Sequence, residues 1–280
     1  MRVTQQEKAA LFRALHDRPG SFVIPNPWDV GSARILAGLG FPALATSSAA
    51  SACAVGRRDG ELTRDGALAH ARSIVEATEV PVSADLENGF GDAPEEVERT
   101  VRAAAEAGLV GCTIEDASVT GDRSLYDVRL ATERIAAAAQ AARACPFPFT
   151  LTARAHNFLY PDPSLDDTIA RLLAYEEAGA DVLFAPGLPD LGTVRAVCAA
   201  VSKPVNFMAG IRGKSFPVSE LSAAGVKRIS LATSLYRAAM TALLDAAREI
   251  TEEGQFTFLD RCVATQELYT LMRIEPRSVR

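Results

Sequence analysis

The sequence has no paired-cysteine motif. Its five cysteines, Cys53, Cys112, Cys145, Cys198 and Cys262, are odd in number and widely spaced. That pattern excludes a disulfide framework and a structural zinc site, and it reads as a reduced, cytoplasmic protein. No apolar run is long enough to span a bilayer. Met1 to Arg18 mixes Lys, Glu, Arg and Asp, so it does not read as a signal peptide. A basic surplus is missing too: 29 Lys and Arg stand against 35 Asp and Glu, a net charge of −6. This balance argues against a nucleic-acid or membrane-surface partner. No dinucleotide fingerprint follows the first strand, and Gly210-Ile-Arg-Gly-Lys-Ser215 has the wrong spacing for a P-loop. No linker or low-complexity stretch divides the 280 residues.

What the chain does have is a rhythm. Short β-prone runs are expected at 21–24, 41–46, 81–85, 110–116, 147–154, 182–185, 204–208 and 228–232. Helical patterns stand between them, punctuated by Gly and Pro. Regular alternation implies parallel strands with helices outside. Eight units of this length fit a (β/α)8 TIM-type barrel, read as a single domain over 1–280 with extra C-terminal helices at about 235–272. A doubly wound open sheet is the alternative, weakened by the missing fingerprint.

The chemistry gathers around Val80-Pro-Val-Ser-Ala-Asp-Leu-Glu-Asn-Gly-Phe-Gly-Asp92. Asp85 and Glu87 stand two apart, so on a strand they would project into one space. Two carboxylates that close repel unless a cation or shared proton joins them. A hard divalent cation such as Mg²⁺ suits oxygen donors; the plain alternative is a polar turn with two solvated acids. In a barrel, function collects at the C-terminal strand ends. The strand reading puts there Asn26, Trp28 and Asp29; Thr46, Ser47, Ser48 and Asp59; Glu115 and Asp116; Arg154, His156 and Asn157; Asn206; and Thr233 with Ser234. His16 and His70 read as structural, Cys112 as a buried apolar residue and Cys53 as structural. Trp28 is open between packing and lining the mouth. Arg212 or Lys214 is a candidate partner for a second substrate carboxylate.

Five of these segments, in this order, resemble the isocitrate lyase/phosphoenolpyruvate mutase superfamily. They are Pro25-Asn-Pro-Trp-Asp-Val-Gly-Ser-Ala-Arg34, Ser47 with Gly56-Arg-Arg-Asp59, Asp85-Leu-Glu-Asn-Gly-Phe-Gly91, Ile114-Glu-Asp116 and Thr152-Ala-Arg154. The resemblance covers roughly residues 20–250. It implies Mg²⁺, with Mn²⁺ as a substitute, and a 2-oxo or 2-hydroxy carboxylate at the barrel mouth. By position, Asp85 is the direct metal ligand, and Asp59, Glu87 and Glu115 reach the metal mostly through water. Ser47 and Ser48 border the carboxylate pocket, and Arg154 clamps the substrate bidentately. His156 and Asn206 complete the substrate set, and Arg154, Asp59 and Glu115 carry catalysis. The implied reaction is C–C cleavage through an enolate, as in 2-methylisocitrate or isocitrate lyases, with the metal as Lewis acid.

The chain departs from the family at Glu87, where many members carry Asp, and in one whole segment. The family's isocitrate-type lyases carry a Lys-x-Cys-Gly-His loop after the Glu-Asp pair. Here Ala117 to Asp127 holds no Cys, Lys or His. The general acid is therefore unassigned among Tyr126, Asp122 and Arg123, and weakened lyase activity is expected. Phosphonopyruvate mutase or hydrolase chemistry, oxaloacetate cleavage, or oxo-acid binding with little turnover are the alternatives. The resemblance also implies a homo-oligomer, dimer or tetramer, with the helical tail near 256–272 exchanged between subunits.

Overall fold

The computed structural model describes residues 3–118 and 124–273. The chain opens with helix α1 (Gln5–Asp17), started by a capping box in which the Thr4 hydroxyl accepts from the Glu7 N–H. Strand–helix alternation follows as β1 (Phe22–Ile24), α2 (Val30–Gly38), β2 (Leu44–Ala45), α3 (Ser48–Ala54), α4 (Arg64–Ala77), β3 (Val82–Asp85) and α5 (Pro94–Glu106). It continues as β4 (Gly111–Glu115), α6 (Val128–Arg143), β5 (Thr150–Arg154), α7 (Leu165–Glu177), β6 (Val182–Phe184) and α8 (Leu191–Ala200). The last turns are β7 (Val205–Met208), α9 (Val218–Ala223), β8 (Arg228–Ser230), α10 (Ser234–Arg248) and α11 (Thr265–Leu271).

All paired strands are parallel, in the order β1-β8-β7-β6-β5-β4-β3-β2. The remaining seam, between β1 and β2, is drawn together by the Ala45 N–H donating to the Pro25 carbonyl at 3.1 Å. The Asn26 side chain also donates to the Thr46 carbonyl at 3.0 Å. The expected (β/α)8 barrel is the observed one.

Alternation along each strand sorts the residues into two environments. Leu44, Val82, Ala84, Cys112, Ile114, Leu151, Leu183 and Phe207 face outward and pack with the helices in one apolar layer. The inward set is polar toward the top: Ser83, Asp85, Thr113, Arg154, Asn206, Arg228 and Ser230 border a cavity there. At the other end α1 closes the barrel, with Ala9, Phe12 and Leu15 packed on Phe22, Ile24, Ala43 and Val110. Gly111 permits that approach, since a Cβ there would lie 2.6 Å from the Thr150 carbonyl oxygen and 3.1 Å from the Phe12 ring. The plug keeps water out from below, so the polar interior opens only at the C-terminal strand ends.

After β2, Ser47 caps the small-residue stretch and its alanines carry it into α3. One region differs from expectation. The tail is not two long helices. α10 passes into a π-helical turn at Glu249–Glu253, which ends on left-handed Gly254. A 3-10 turn, Thr257–Arg261, then precedes the short α11. That helix lies on α2 of its own chain, where a Cβ on Gly38 would collide with the Leu271 carbonyl. Among the described residues, no helix is long and apolar enough to cross a membrane.

Candidate active site at the barrel mouth

The cavity at the C-terminal strand ends has a volume of about 210 Å³ and adjoins a second recess of about 100 Å³. Ser48, Asp59 and Arg154 border both. Asp85, the last residue of β3, faces the larger space, and Glu87 and Glu115 face the smaller. The side chains expected at the mouth therefore come together there: Ser47, Ser48, Asp59, Asp85, Glu87, Glu115, Arg154, His156 and Asn206.

Arg154 organises the acids. Its Nη1 lies 3.2 Å from Glu115 Oε2 and 3.5 Å from Asp85 Oδ2, so one guanidinium nitrogen bridges two carboxylates. Its Cζ stands 5.2 Å from the Phe184 ring centre, which fixes the plane of the fork from the β6 side. Asp85 Oδ2 also faces Ser48, 3.4 Å from its N–H and 3.3 Å from its hydroxyl. The Asp85 N–H donates to Thr46 Oγ1 at 3.1 Å. Burial is the main cause that pushes the Asp85 carboxyl above the usual carboxylate range; Arg154 opposes it, and the charges of Glu115 and Asp59 add to it.

The relation of Asp85 to Glu87 is not the one expected. β3 ends at Asp85, and Glu87 adopts a left-handed backbone with φ 51°. The two acids converge through a turn rather than through strand alternation. The turn is held from outside: the Glu87 N–H donates to Asp85 Oδ1 at 3.2 Å, and the Glu87 carbonyl accepts from the Glu115 N–H at 2.9 Å. Arg134 of α6 donates to the carbonyls of Asn88, Gly91 and Asp92 and lies 4.3 Å from the Tyr126 ring centre.

Several strand-end residues leave the site. Asp116 points away from Glu115, as strand alternation requires. It accepts from the Tyr175 hydroxyl at 2.6 Å, from Arg171 Nη1 at 3.2 Å and from the His156 N–H at 2.8 Å. It is a buried buttress that fixes the start of the loop after β5. Asp29 caps α2, and Asn157 donates to Asp167 at 2.6 Å. Trp28 packs edge-on against Tyr236. Tyr126 donates to Asp92 at 2.5 Å and accepts from Asn88 at 2.8 Å, so it braces the glycine loop instead of serving the mouth. Asp122 and Arg123 lie outside the described residues. Lys214 donates to the Gly187 carbonyl at 3.2 Å, and neither it nor Arg212 borders the mouth. Cys112 is buried in the outer layer and Cys53 is exposed.

His156 and Tyr160, both from the segment after β5, border the smaller recess. His156 Nε2 is 3.0 Å from Glu115 Oε2, but the ring N–H is not aimed along that line. Tyr160 and Arg228 were not anticipated from sequence. Arg228 had a signal: a charged residue stands at an inward position two before Ser230 in an apolar strand.

The donor chemistry fits a hard divalent cation. Asp59, Asp85, Glu87 and Glu115 bring four carboxylates to one mouth, where Arg154 pairs with Asp85 and Glu115. Among the described residues, no three Asp, Glu, His or Cys side chains converge as a direct cage. The arrangement therefore suits an ion that keeps several waters and takes one carboxylate directly, with the others reached through those waters.

A crowded, enclosed carboxylate is costly to the empty fold. Asp85→Asn is expected to stabilise the metal-free protein at neutral pH by about 0.5–2 kcal/mol. Denaturant melts in EDTA measure this, and a destabilised variant would contradict the charge balance described.

Comparison with known proteins agrees with this geometry. The family model for phosphoenolpyruvate phosphomutase matches residues 12–251. The solved structure of a protein from Burkholderia cenocepacia J2315, provisionally named a lyase/mutase, is 53% identical and superposes with a TM-score of 0.92, covering 95% of each chain. A 2,3-dimethylmalate lyase structure is 28% identical with a TM-score of 0.85, covering 97% of this chain and 95% of that one. An oxaloacetate decarboxylase of Pseudomonas paraeruginosa is 31% identical over 254 residues, 89% of this chain and 87% of its own. The chain therefore belongs to the phosphoenolpyruvate mutase/isocitrate lyase superfamily, whose matched members are mutases, lyases and decarboxylases.

Proposed function

We propose that this protein is a Mg²⁺-dependent carbon–carbon lyase acting on a small 2-oxo or 2-hydroxy carboxylate, its 280 residues working as one barrel domain. The observation that carries the reading is the bridge from Arg154 to Asp85 and Glu115 inside a mouth that holds two further acids. Asp85 is the direct metal ligand, with Asp59, Glu87 and Glu115 reaching the ion through water. The ion, when bound, supplies Lewis-acid polarisation of the substrate oxo group.

The chain's own residues do the rest. Ser47 and Ser48 border the end of the cavity where the carboxylate and oxo group sit. Arg154 turns its fork from the acids to the substrate carboxylate, in line with the bond that breaks. In a 2-hydroxy acid, a mouth carboxylate takes the hydroxyl proton, the hydroxyl carbon becomes the oxo carbon as the C2–C3 bond breaks, and the bond's electron pair leaves as an enolate of the far fragment that needs a proton. With Tyr126 committed to the glycine loop, we assign that proton transfer, among the described residues, to His156, which borders the recess with Glu115 and Tyr160. The likenesses to 2,3-dimethylmalate lyase and oxaloacetate decarboxylase support C–C cleavage. Breaking a P–C bond is the second reading, favoured by the phosphomutase family model.

Assays over a panel of malate, isocitrate, 2-methylisocitrate, oxaloacetate and phosphonopyruvate test this, read by release of 2-oxo acid and by phosphorus NMR. Mg²⁺-dependent release of a 2-oxo acid from one carbon substrate is expected. Arg154→Lys should lower kcat/KM about 100-fold or more, because the bidentate fork is lost. Phosphonopyruvate turnover alone would replace the lyase reading with the second one, and an Arg154→Lys enzyme of normal rate would remove the clamp.

The tail supports a homo-oligomer. α10 buries no residue in this chain, and Leu243 and Leu244 are 59% and 53% exposed. Phe256, Leu259 and Tyr269, further along the tail, are exposed as well. Light scattering should give a dimer or tetramer, broken by Leu243→Glu with Leu244→Glu. A monomeric wild type would contradict this.

A further inference from the structure

Arg228 borders the mouth but has no part in holding the acids or the metal. Its side chain is carried inward at the start of β8, in register with Asn206 on β7. Asn206 pairs in turn with Phe184, and Phe184 with Arg154. Paired residues in neighbouring strands face the same side, so this row puts a guanidinium at each end of one cavity wall. Both border the space of about 210 Å³, with the Phe184 ring between them.

Arg228 is only 4% exposed. Its Nε donates to Asn206 Oδ1 at 2.8 Å and its Nη2 to Thr152 Oγ1 at 2.9 Å. Both acceptors are neutral. Nη1 is buried with no hydrogen-bond partner, and among the described residues no carboxylate pairs with Arg228. His16 offers no negative charge, since burial and the Arg228 charge hold its imidazole neutral, down to about 3. Burial alone pushes the Arg228 guanidinium down to about 9, still protonated at neutral pH. A buried cation with no carboxylate beside it is costly, and an anion at its open nitrogen would offset that cost. Asn206 and Ser230, bonded to each other at 3.0 Å, finish a polar floor beside the orphaned Nη1.

We propose that Arg228 is an anion seat at the cavity floor that holds the far carboxylate of the substrate. The assignment rests on the oxo-acid reading of the mouth for the first carboxylate. The anion seat itself does not. The substrate lies along the cavity wall, its reacting end under Arg154 and the acids and its far carboxylate against Arg228 Nη1. Asn206 is then a positioning residue, holding the Arg228 fork through Nε rather than meeting the metal end.

The test uses the full chain as wild type, Arg228→Met and Arg228→Lys. Calorimetry with Mg²⁺ compares oxalate, which reaches only the upper groups, with malate and 2-hydroxyglutarate, which reach the floor. Arg228→Met should weaken the better dicarboxylate about 30-fold or more, leave oxalate within about twofold, and be partly rescued by Arg228→Lys. Equal loss for oxalate and dicarboxylate, or no loss for either, overturns the proposal. A second arm needs no metal and no oxo acid. In EDTA, added sulfate should raise the wild-type melting temperature and leave that of Arg228→Met unchanged; equal shifts overturn the seat. If oxalate fails to bind wild type while the sulfate arm succeeds, the oxo-acid reading falls and the anion seat stands. Should Arg228→Met fail to fold, bromide-soaked wild-type crystals decide: anomalous density against Arg228 Nη1 supports the seat, and its absence overturns it.

Discussion

The bridge that Arg154 makes between Asp85 and Glu115 is the constraint on which the rest of the mouth depends. Carboxylates this close repel, and enclosure by the barrel strengthens the repulsion. One guanidinium lowers that cost without removing it, since Asp85 still holds its proton more tightly than an ordinary carboxyl. Burial does most of this, and the charges of Glu115 and Asp59 add to it. On the proposed reading, a divalent cation would offset the remaining negative charge and free Arg154 to bind an anion.

The surrounding structure keeps this arrangement in place from three directions. The α1 plug seals the base of the barrel and leaves the polar interior open only at the top. Asp116, held by Tyr175 and Arg171, fixes the backbone at His156 and with it the recess beside Glu115. Arg134 gathers the carbonyls of the glycine loop and so holds the turn that swings Glu87 toward the mouth. None of these three touches the reacting space. Each turns a loop into a rigid edge of it, as a site requiring sub-ångström placement needs.

The barrel was legible because the alternation of β-prone runs with helical patterns is a property of local sequence, and short parallel units allow few other architectures. Asp85, Glu115 and Arg154 were legible for the same reason: each ends a strand, and strand ends define the mouth. What was not legible depends on three-dimensional register. Glu87 looked like a strand neighbour of Asp85 but sits in a left-handed turn. Asp116 looked like a partner of Glu115, though adjacent strand residues face opposite sides, and that much could have been read from the period. Tyr126 looked free to serve as an acid, and only the packing of α6 reveals its bond to Asp92. Arg228 escaped notice because a single arginine in a strand gives no hint of which neighbours will satisfy it.

The central claim is that the acids and an oxo-acid hold one divalent cation together. The most direct measurement is an electron paramagnetic resonance titration of the purified protein with Mn²⁺, with and without oxalate. The account predicts one Mn²⁺ per chain, bound about tenfold or more tightly when oxalate is present, by the linkage of two ligands at one site. It predicts that this coupling disappears in Asp85→Ala. Mn²⁺ binding that ignores oxalate, or that survives Asp85→Ala unchanged, would contradict it.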